Sequence, residues 1–251
     1  MSLSLCAIAR DEETFLPRML ESARALVDEI VLGIDRRTTD ATPDIAHQYG
    51  ARVFWFDWQD SFAAARNLAI ASARTEWLLT MDADEVLLPE GGLAITITLG
   101  ADAPLHVDGY LSVLEETSLD GELLWPPEVS SARLFRNSPD LRYLGRVHEE
   151  VRYLPDPPRT QCDVLPGGPH IRHYGLDPSV WQVRGKAERD RRLLHLRLGE
   201  NPHDAVAYYY LARMARRDGR RLLARTFAKR ALDCGPRTLS DDAALEMQRL
   251  A

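Results

Sequence analysis

Four short apolar runs separated by segments of helical period fill the first third of this 251-residue chain, and no other feature limits its fold so sharply. Leu3 to Ala9 is almost continuously apolar, the pattern of a strand buried on both faces of a parallel sheet. Leu16, Met19, Leu20 and Ala23 then recur at helical spacing, with Pro17 tolerated in the first turn. Glu29 to Ile34 predicts a second strand; after it Thr42 caps a short helix, with Pro43 at its first position and Gly50 at its stop. Arg52 to Phe56, the alanine-rich helix Ser61 to Ala73 and the strand Glu76 to Met81 complete a βαβαβαβ alternation. Such alternation predicts a doubly wound α/β sheet, whose ligands bind beyond the carboxyl ends of the strands, after Ala9, Ile34, Phe56 and Met81.

From Pro89 to Pro158 the pattern loosens. Val107 to Leu114 and Leu123 to Trp125 read as strands around the turn Asp120-Gly121, and Ala132 to Phe135 as another, so mixed or antiparallel additions are expected. Pro155 to Pro169 reads as an irregular connection. Beyond Pro178 the chain turns helical and basic, with 13 Lys and Arg against 5 Asp and Glu between Lys186 and Arg230. There Tyr208, Leu211, Ala212, Ala215, Gly219, Ala224, Ala228, Ala231 and Pro236 follow the spacing of a tetratricopeptide helix pair. One such pair cannot bury a core alone, so it is expected to pack on the preceding domain or on a second copy of the chain, which leaves homo-oligomers open. The division read from the sequence is therefore 1–178 and 179–251.

A formal charge of −7 and a pI near 5.5 exclude a general electrostatic footprint for nucleic acid. Cys6, Cys162 and Cys234 are odd in number, widely spaced and without CxxC, which indicates neither a disulfide framework nor a cysteine zinc site. The opening apolar run is too short to span a membrane and lacks a basic leader, so a cytoplasmic protein that does not span a membrane is expected. GxxxxGK[ST], HExxH and GxSxG are all missing, which removes the usual signals for P-loop, zinc-protease and α/β-hydrolase chemistry.

The chemistry-bearing residues cluster where ligands of such a sheet bind. Asp82 and Asp84, two apart at the end of a buried strand, are expected to project the same way and hold Mg²⁺ or Mn²⁺ together with substrate phosphates; alone, they read as a solvated acidic turn. Asp35 ends the second strand and can accept hydrogen bonds from a nucleobase imide or a ribose hydroxyl, whereas Asp40 reads as a turn residue. Arg66, behind Ala63, Ala64 and Ala65 on a small-sided helix, can reach a pyrophosphate or pair with the Asp82 cluster. His170 and His173 are three apart, which on a strand sends them to opposite faces and argues against a joint metal site. Tyr208, Tyr209 and Tyr210, and Trp55, Trp58 and Trp77, read as core aromatics, and Arg216, Arg217, Arg220 and Arg221 as a solvated face.

The segments LSLCAIARDEETFLPRMLES, DEIVLGIDRRTTDAT, DSFAAARNLAIASARTEWLLTMDADEVL, ARLFRN, LGRVHEE and HIRHYG together resemble the bacterial family 2 glycosyltransferases, in particular members that append tetratricopeptide-like helices. The resemblance implies a Rossmann-like mixed sheet of the A-type glycosyltransferase fold followed by a small helical tail. It also implies an inverting, metal-dependent enzyme that moves a sugar from a nucleotide diphosphate sugar, a UDP-sugar being favoured, to a peptide, saccharide or lipid-linked acceptor. By position, the backbone of Ile8 and the side chains of Glu12, Asp35, Arg66 and Asp82 are expected to line the nucleotide pocket. Asp84 is expected to bind the metal, Mn²⁺ or Mg²⁺, and His173 to add a metal or diphosphate contact. Arg36-Arg37 replaces the usual Thr-Gly after Asp35, and Asp11 stands where Asn is usual, which bears on nucleotide preference. Glu85 stands where a third Asp is common, either metal-facing or exposed.

In-line attack on an anomeric carbon is helped by a carboxylate that takes the acceptor proton. Glu149, after His148, is the expected base, in competition with Glu150, Glu115, Glu116 and Asp120; the plainer role for Glu149 is an ion pair with Arg146 or Arg152. Two other functions compete with glycosyl transfer. A nucleotidyltransferase would place a glycine-rich loop where Ala9-Arg10-Asp11-Glu12-Glu13 stands, and a noncatalytic interaction protein would not need Asp35, Arg66, Asp82, Asp84 and Glu149 together.

Overall fold

The computed structural model of the chain describes residues 1–100, 107–154, 164–165, 167–183, 185–235 and 239–251. Residues 155–163 and 166 of the connection expected between Pro155 and Pro169 lie outside them, and so do Cys162 and Pro236. Two compact units form: Met1–Leu144 with Glu149–Trp181, and Gly145–His148 with Gln182–Ala251.

In the first unit, β1 (Leu3–Ala9), β2 (Glu29–Asp35), β3 (Arg52–Phe56) and β4 (Trp77–Thr80) are the four runs of the alternation. They pair in parallel in the order β3-β2-β1-β4, with Ala9 opposite Ile34 and Asp35 opposite Phe56. The intervening helices are α1 (Leu16–Ala23), α2 (Thr42–Gln48) and α3 (Phe62–Ser72). Ser61 caps α3 by accepting from the Ala64 amide, and its small side chains let the helix lie close to the sheet. Thr42 is not the cap of α2, which is Ala41. Instead the Thr42 hydroxyl accepts from the Glu12 amide at 2.8 Å and ties the loop after β1 to the loop after β2.

The sheet continues through β5 (Glu85–Leu87), α4 (Pro89–Gly100), β6 (Gly109–Glu116) and β7 (Glu128–Arg136). Strand β7 runs antiparallel to β4, and β6 antiparallel to β7. After β8 (Leu141–Leu144) and β9 (Glu150–Tyr153), which form a separate two-stranded sheet, come β10 (Val164–Leu165) and β11 (His170–His173). Strand β11 joins β6 in parallel and β5 antiparallel, and β10 pairs with β6. The expected strand at Leu123 to Trp125 is reduced to one bridge, Thr117 to Leu123, and Trp125 is exposed. One hydrophobic cluster packs Leu5, Met19, Leu20, Leu32, Trp77 and Leu79 on one face of the sheet, and a second packs Cys6, Val31, Ile70, Leu78 and Phe135 on the other. Trp77 is buried as expected, but Trp55 is exposed. Gly91 of α4 meets the backbone of His170 so closely that a Cβ there would lie 2.4 Å from its amide nitrogen.

A short helix α5 (Pro178–Val183) precedes α6 (Lys186–Glu200), α7 (Ala205–Arg217), α8 (Arg221–Cys234) and α9 (Asp241–Leu250). In the second unit α7 and α8 form the expected helix pair, turning at Gly219 with φ +73°. Ala212, Ala228 and Ala231 of the pair are sealed by Met247 of α9, with Leu239 and Leu250 against them, so part of the core that one helix pair lacks is supplied by a third helix. The His148 ring stacks on Tyr210 at 3.4 Å between centroids, while Tyr208 and Tyr209 pack on the helical core. No helix among the described residues is long and apolar enough to cross a membrane.

Candidate active site

The carboxyl ends of β1, β2 and β4 deliver the loops that the alternation pointed to. After β4 the chain turns through Met81–Asp84 into β5, so Asp82 and Asp84 do not project side by side from an extended strand. Each finds its own partners. Asp82 takes Arg66 Nη2 on one oxygen and Arg133 Nη2 at 3.4 Å on the other. Burial alone would raise the Asp82 pKa, but the two guanidinium groups outweigh it and hold the carboxyl well below its ordinary range.

Arg66 is the hub. Its side chain is 8 % exposed and bridges Asp82 and Glu149, whose Oε1 lies 2.5 Å from its Nε. The Tyr143 ring lies against the same guanidinium, 5.6 Å from centroid to Cζ. Glu149 therefore pairs with neither Arg146 nor Arg152: Arg146 binds Glu200, and Arg152 binds Glu150. Among the rivals for the role of base, Glu115 is engaged by Arg172 and Glu116 by His173, so Glu149 is the one drawn into the Asp82 cluster. Glu85 is not exposed. It is buried, accepts from the Asp82 amide at 2.7 Å and from Arg133 at 2.7 Å, and burial pushes its pKa up to about 7 against the pull of Arg133.

On the other side of the turn, His173 faces Asp84, with Nε2 3.4 Å from Oδ1, while its Nδ1 sits 2.8 Å from Glu116 Oε2. Burial disfavours charge on the ring, but these two carboxylates raise its pKa to about 10. His170 stands at the other end of β11. The described residues contain no group of three or more His, Cys, Asp and Glu able to hold a metal. Divalent ions bound to diphosphates need fewer, because one or two protein ligands suffice when phosphate and water oxygens complete the shell. Asp84 and His173 fit that donor set, with Glu116 behind the ring as the outer carboxylate that fixes its orientation.

Asp35 closes β2 with its side chain 3 % exposed, and Arg37 grips both of its oxygens. Asp40 does more than turn the loop: one oxygen accepts from the Thr42 amide at 3.0 Å and the other from the Glu13 amide at 2.9 Å. Asp11, at φ +52°, accepts from the Thr39 amide at 2.8 Å, so the loops that carry Glu12 and Asp35 are laced together. Ile8 sits opposite Gly33, one residue short of the end of β1, and is partly exposed there.

Arg133 and Tyr143 had no assigned role in the sequence reading, and Glu116 had a different one. Arg133 is a charged residue inside the otherwise apolar strand Ala132 to Phe135, and a cation in a buried run is the signal that marks it. Glu116, a candidate base in the sequence, is the partner of His173. Tyr143 hydrogen-bonds Thr80 through its hydroxyl at 2.7 Å and meets Asn67 through its main chain.

With this geometry in hand, the comparisons with known proteins are specific. Residues 4–96 match the Glycosyl transferase family 2 model. A TPR repeat-containing protein of Synechococcus elongatus is 37% identical over 238 residues, covering 93% of this chain and 57% of that protein. The SPbeta prophage-derived glycosyltransferase SunS of Bacillus subtilis is 25% identical over 210 residues, covering 82% of this chain and 47% of SunS. The chain thus spans about half the length of these curated relatives. Among solved structures, S. aureus TarS 1–349 in complex with UDP-GlcNAc superimposes with a TM-score of 0.53 at 14% identity, over 94% of this chain and 82% of that one. That likeness is one of fold, the mixed sheet of the A-type glycosyltransferases followed by helices.

Proposed function

From the premise that this chain belongs to glycosyl transferase family 2, we propose that it transfers a sugar from a nucleotide diphosphate sugar to an acceptor, with inversion and a divalent cation. The observation that carries this reading is the meeting of Asp82, Arg66 and Glu149 at the carboxyl ends of the parallel strands, with the Asp84–His173 pair on the other side of the same short turn. A UDP-sugar is the favoured donor, a choice supported by the UDP-GlcNAc bound to the TarS neighbour.

In this reading the Ile8 backbone, Glu12 and Asp35 receive the nucleoside, and Arg66 and Asp82 border the diphosphate. Asp84 and His173 would hold Mn²⁺ or Mg²⁺, His173 through a neutral ring; an imidazole ligand favours Mn²⁺. When bound, the ion neutralises charge that grows on the leaving diphosphate. Glu149, held at Oε1 by Arg66, takes the acceptor proton on its other oxygen as the acceptor attacks the anomeric carbon from the face opposite the leaving group. Arg133 balances the charge of Asp82 and Glu85 and so keeps the turn in place.

Residues 1–178 serve as the catalytic domain in this proposal, and the helical residues 179–251 as the side that meets a peptide, saccharide or lipid-linked acceptor, in a cytoplasmic setting. A thermal-shift panel of nucleoside diphosphates and their sugars, with and without Mn²⁺, tests the reading. Stabilisation by UDP or a UDP-sugar that grows with Mn²⁺ supports it, and the lack of any nucleotide-dependent shift counts against it.

A further inference from the structure

The loop after β2 puts a cation where a donor nucleobase is expected. Arg37 reaches back two residues to Asp35, with Nε 3.0 Å from Oδ1 and 3.1 Å from Oδ2, and Nη2 2.5 Å from Oδ2. The Arg37 amide adds a further bond to Oδ1 at 3.0 Å. A planar guanidinium presented to a carboxylate in this forked way is the strongest pairing side chains offer, and it engages both acceptor oxygens at once. Asp35 is 3 % exposed while the Arg37 side chain is 49 % exposed, so the cation lies on the solvent side and the anion behind it. The guanidinium carbon is also 5.8 Å from the centre of the Trp58 ring, a second surface on which it can rest. Next to it, Thr38 Oγ1 is buried with no hydrogen-bond partner among the described residues, an orphan that a closed loop leaves and a rearranged loop can satisfy.

We propose that Arg37 is a latch on the nucleobase subsite: it occupies Asp35 in the free protein, and a donor base reaches that carboxylate only by displacing the guanidinium. The proposal rests on the reading that Asp35 faces the donor base. It also names the class of base that can open the latch. Asp35 is an acceptor, so the entering base must bring a donor: uracil and guanine offer a ring N–H, whereas adenine offers only its exocyclic amino group and is the poorer match. In exchange the guanidinium keeps its charge solvated or stacked on Trp58, while Asp35 trades Arg37 donors for those of the base. Arg37 therefore sets specificity by competition, lowering affinity most for donors whose base must displace it from Asp35.

The test is calorimetric titration of UDP, GDP and ADP, with Mn²⁺ present, into the intact chain and into Arg37→Ala. The latch predicts that R37A binds UDP and GDP about tenfold more tightly, gains less for ADP, and melts at a lower temperature without nucleotide because Asp35 has lost the guanidinium. Removing a positive charge would by itself weaken binding of a diphosphate, so a gain in affinity cannot come from general electrostatics. Affinity for UDP and GDP that stays the same or falls in R37A overturns the latch, as does an equal gain for ADP. Arg37→Lys keeps the charge and loses the fork; it should show a smaller gain of the same sign, and it decides the matter if R37A does not fold. If the intact chain and both variants bind none of the three diphosphates, the donor-site reading itself fails and the latch with it. Binding by the intact chain that neither variant changes removes the latch alone.

Discussion

Asn67 lies edge-on to the main chain of Tyr143, donating from Nδ2 to its carbonyl at 3.0 Å and accepting from its amide on Oδ1 at 2.9 Å. A side-chain amide thus stands in for a neighbouring strand and fixes β8 to α3. The neighbouring residue on that helix, Arg66, holds Glu149 just before β9, so α3 grips the hairpin at two points. Asn67→Ala would leave a partly buried amide and carbonyl unpaired, at a cost of about 2 kcal/mol. For a unit of this size the melting temperature should fall by roughly 4–8 °C. An unchanged melt would show that the brace contributes nothing to stability.

Glu149→Gln removes the proposed base while keeping its shape and its contact with Arg66. Hydrolysis of a UDP-sugar or transfer to an acceptor should fall about 10²- to 10⁴-fold, with affinity for UDP essentially retained. Full turnover in this variant would move the base to another carboxylate.

Asp84→Asn replaces the proposed charged ligand by a neutral one at the end of the turn. Binding of UDP should then no longer respond to Mn²⁺ in calorimetric titrations, transfer should be abolished, and the circular dichroism spectrum should match that of the unaltered chain. Mn²⁺-dependent binding that survives would refute the assignment of Asp84 to the metal.

His173 makes stability depend on pH in the metal-free protein. Its folded pKa, about 10, lies above the ordinary imidazole value of 6.5, because the bonds to Asp84 and Glu116 outweigh the cost of burial. The stabilisation is therefore fully present below about pH 6.5 and is lost as pH rises toward 10, and amounts to a few kcal/mol in order of magnitude. Melts across that window should show a steady fall, flattened in His173→Gln. A chain whose stability rises over the same window would contradict the pairing.

The alternation from Leu3 to Met81 made half the sheet legible, because strands buried on both faces carry their pattern in apolar content alone. Helix α4 escaped because Gly91, Gly92 and the β-branched run Ile95 to Thr98 do not look helical. The hairpin of β8 and β9 escaped because four-residue strands interrupted by Arg142 and Arg152 show too little period. In the site, Asp82 and Arg66 were readable as a pair, since a carboxylate at a strand tip and an arginine on a small-sided helix have few other uses. The Glu149 pairing was not, because its partner lies 83 positions away, and nearby Arg146 and Arg152 offered more local matches. Arg37 was visible only as a departure from pattern, and its grip on Asp35 depends on loop geometry that composition does not encode.

Strand β4 lies between β1 at the start of the chain and β7, which ends at Arg136. During synthesis the edge formed by Leu78 and Leu79 therefore stays open until residues 128–136 have left the ribosome, more than forty residues later. A fragment ending near residue 100 keeps the whole stretch that matches the family and still exposes a raw apolar edge in mid-sheet, so it should aggregate rather than fold.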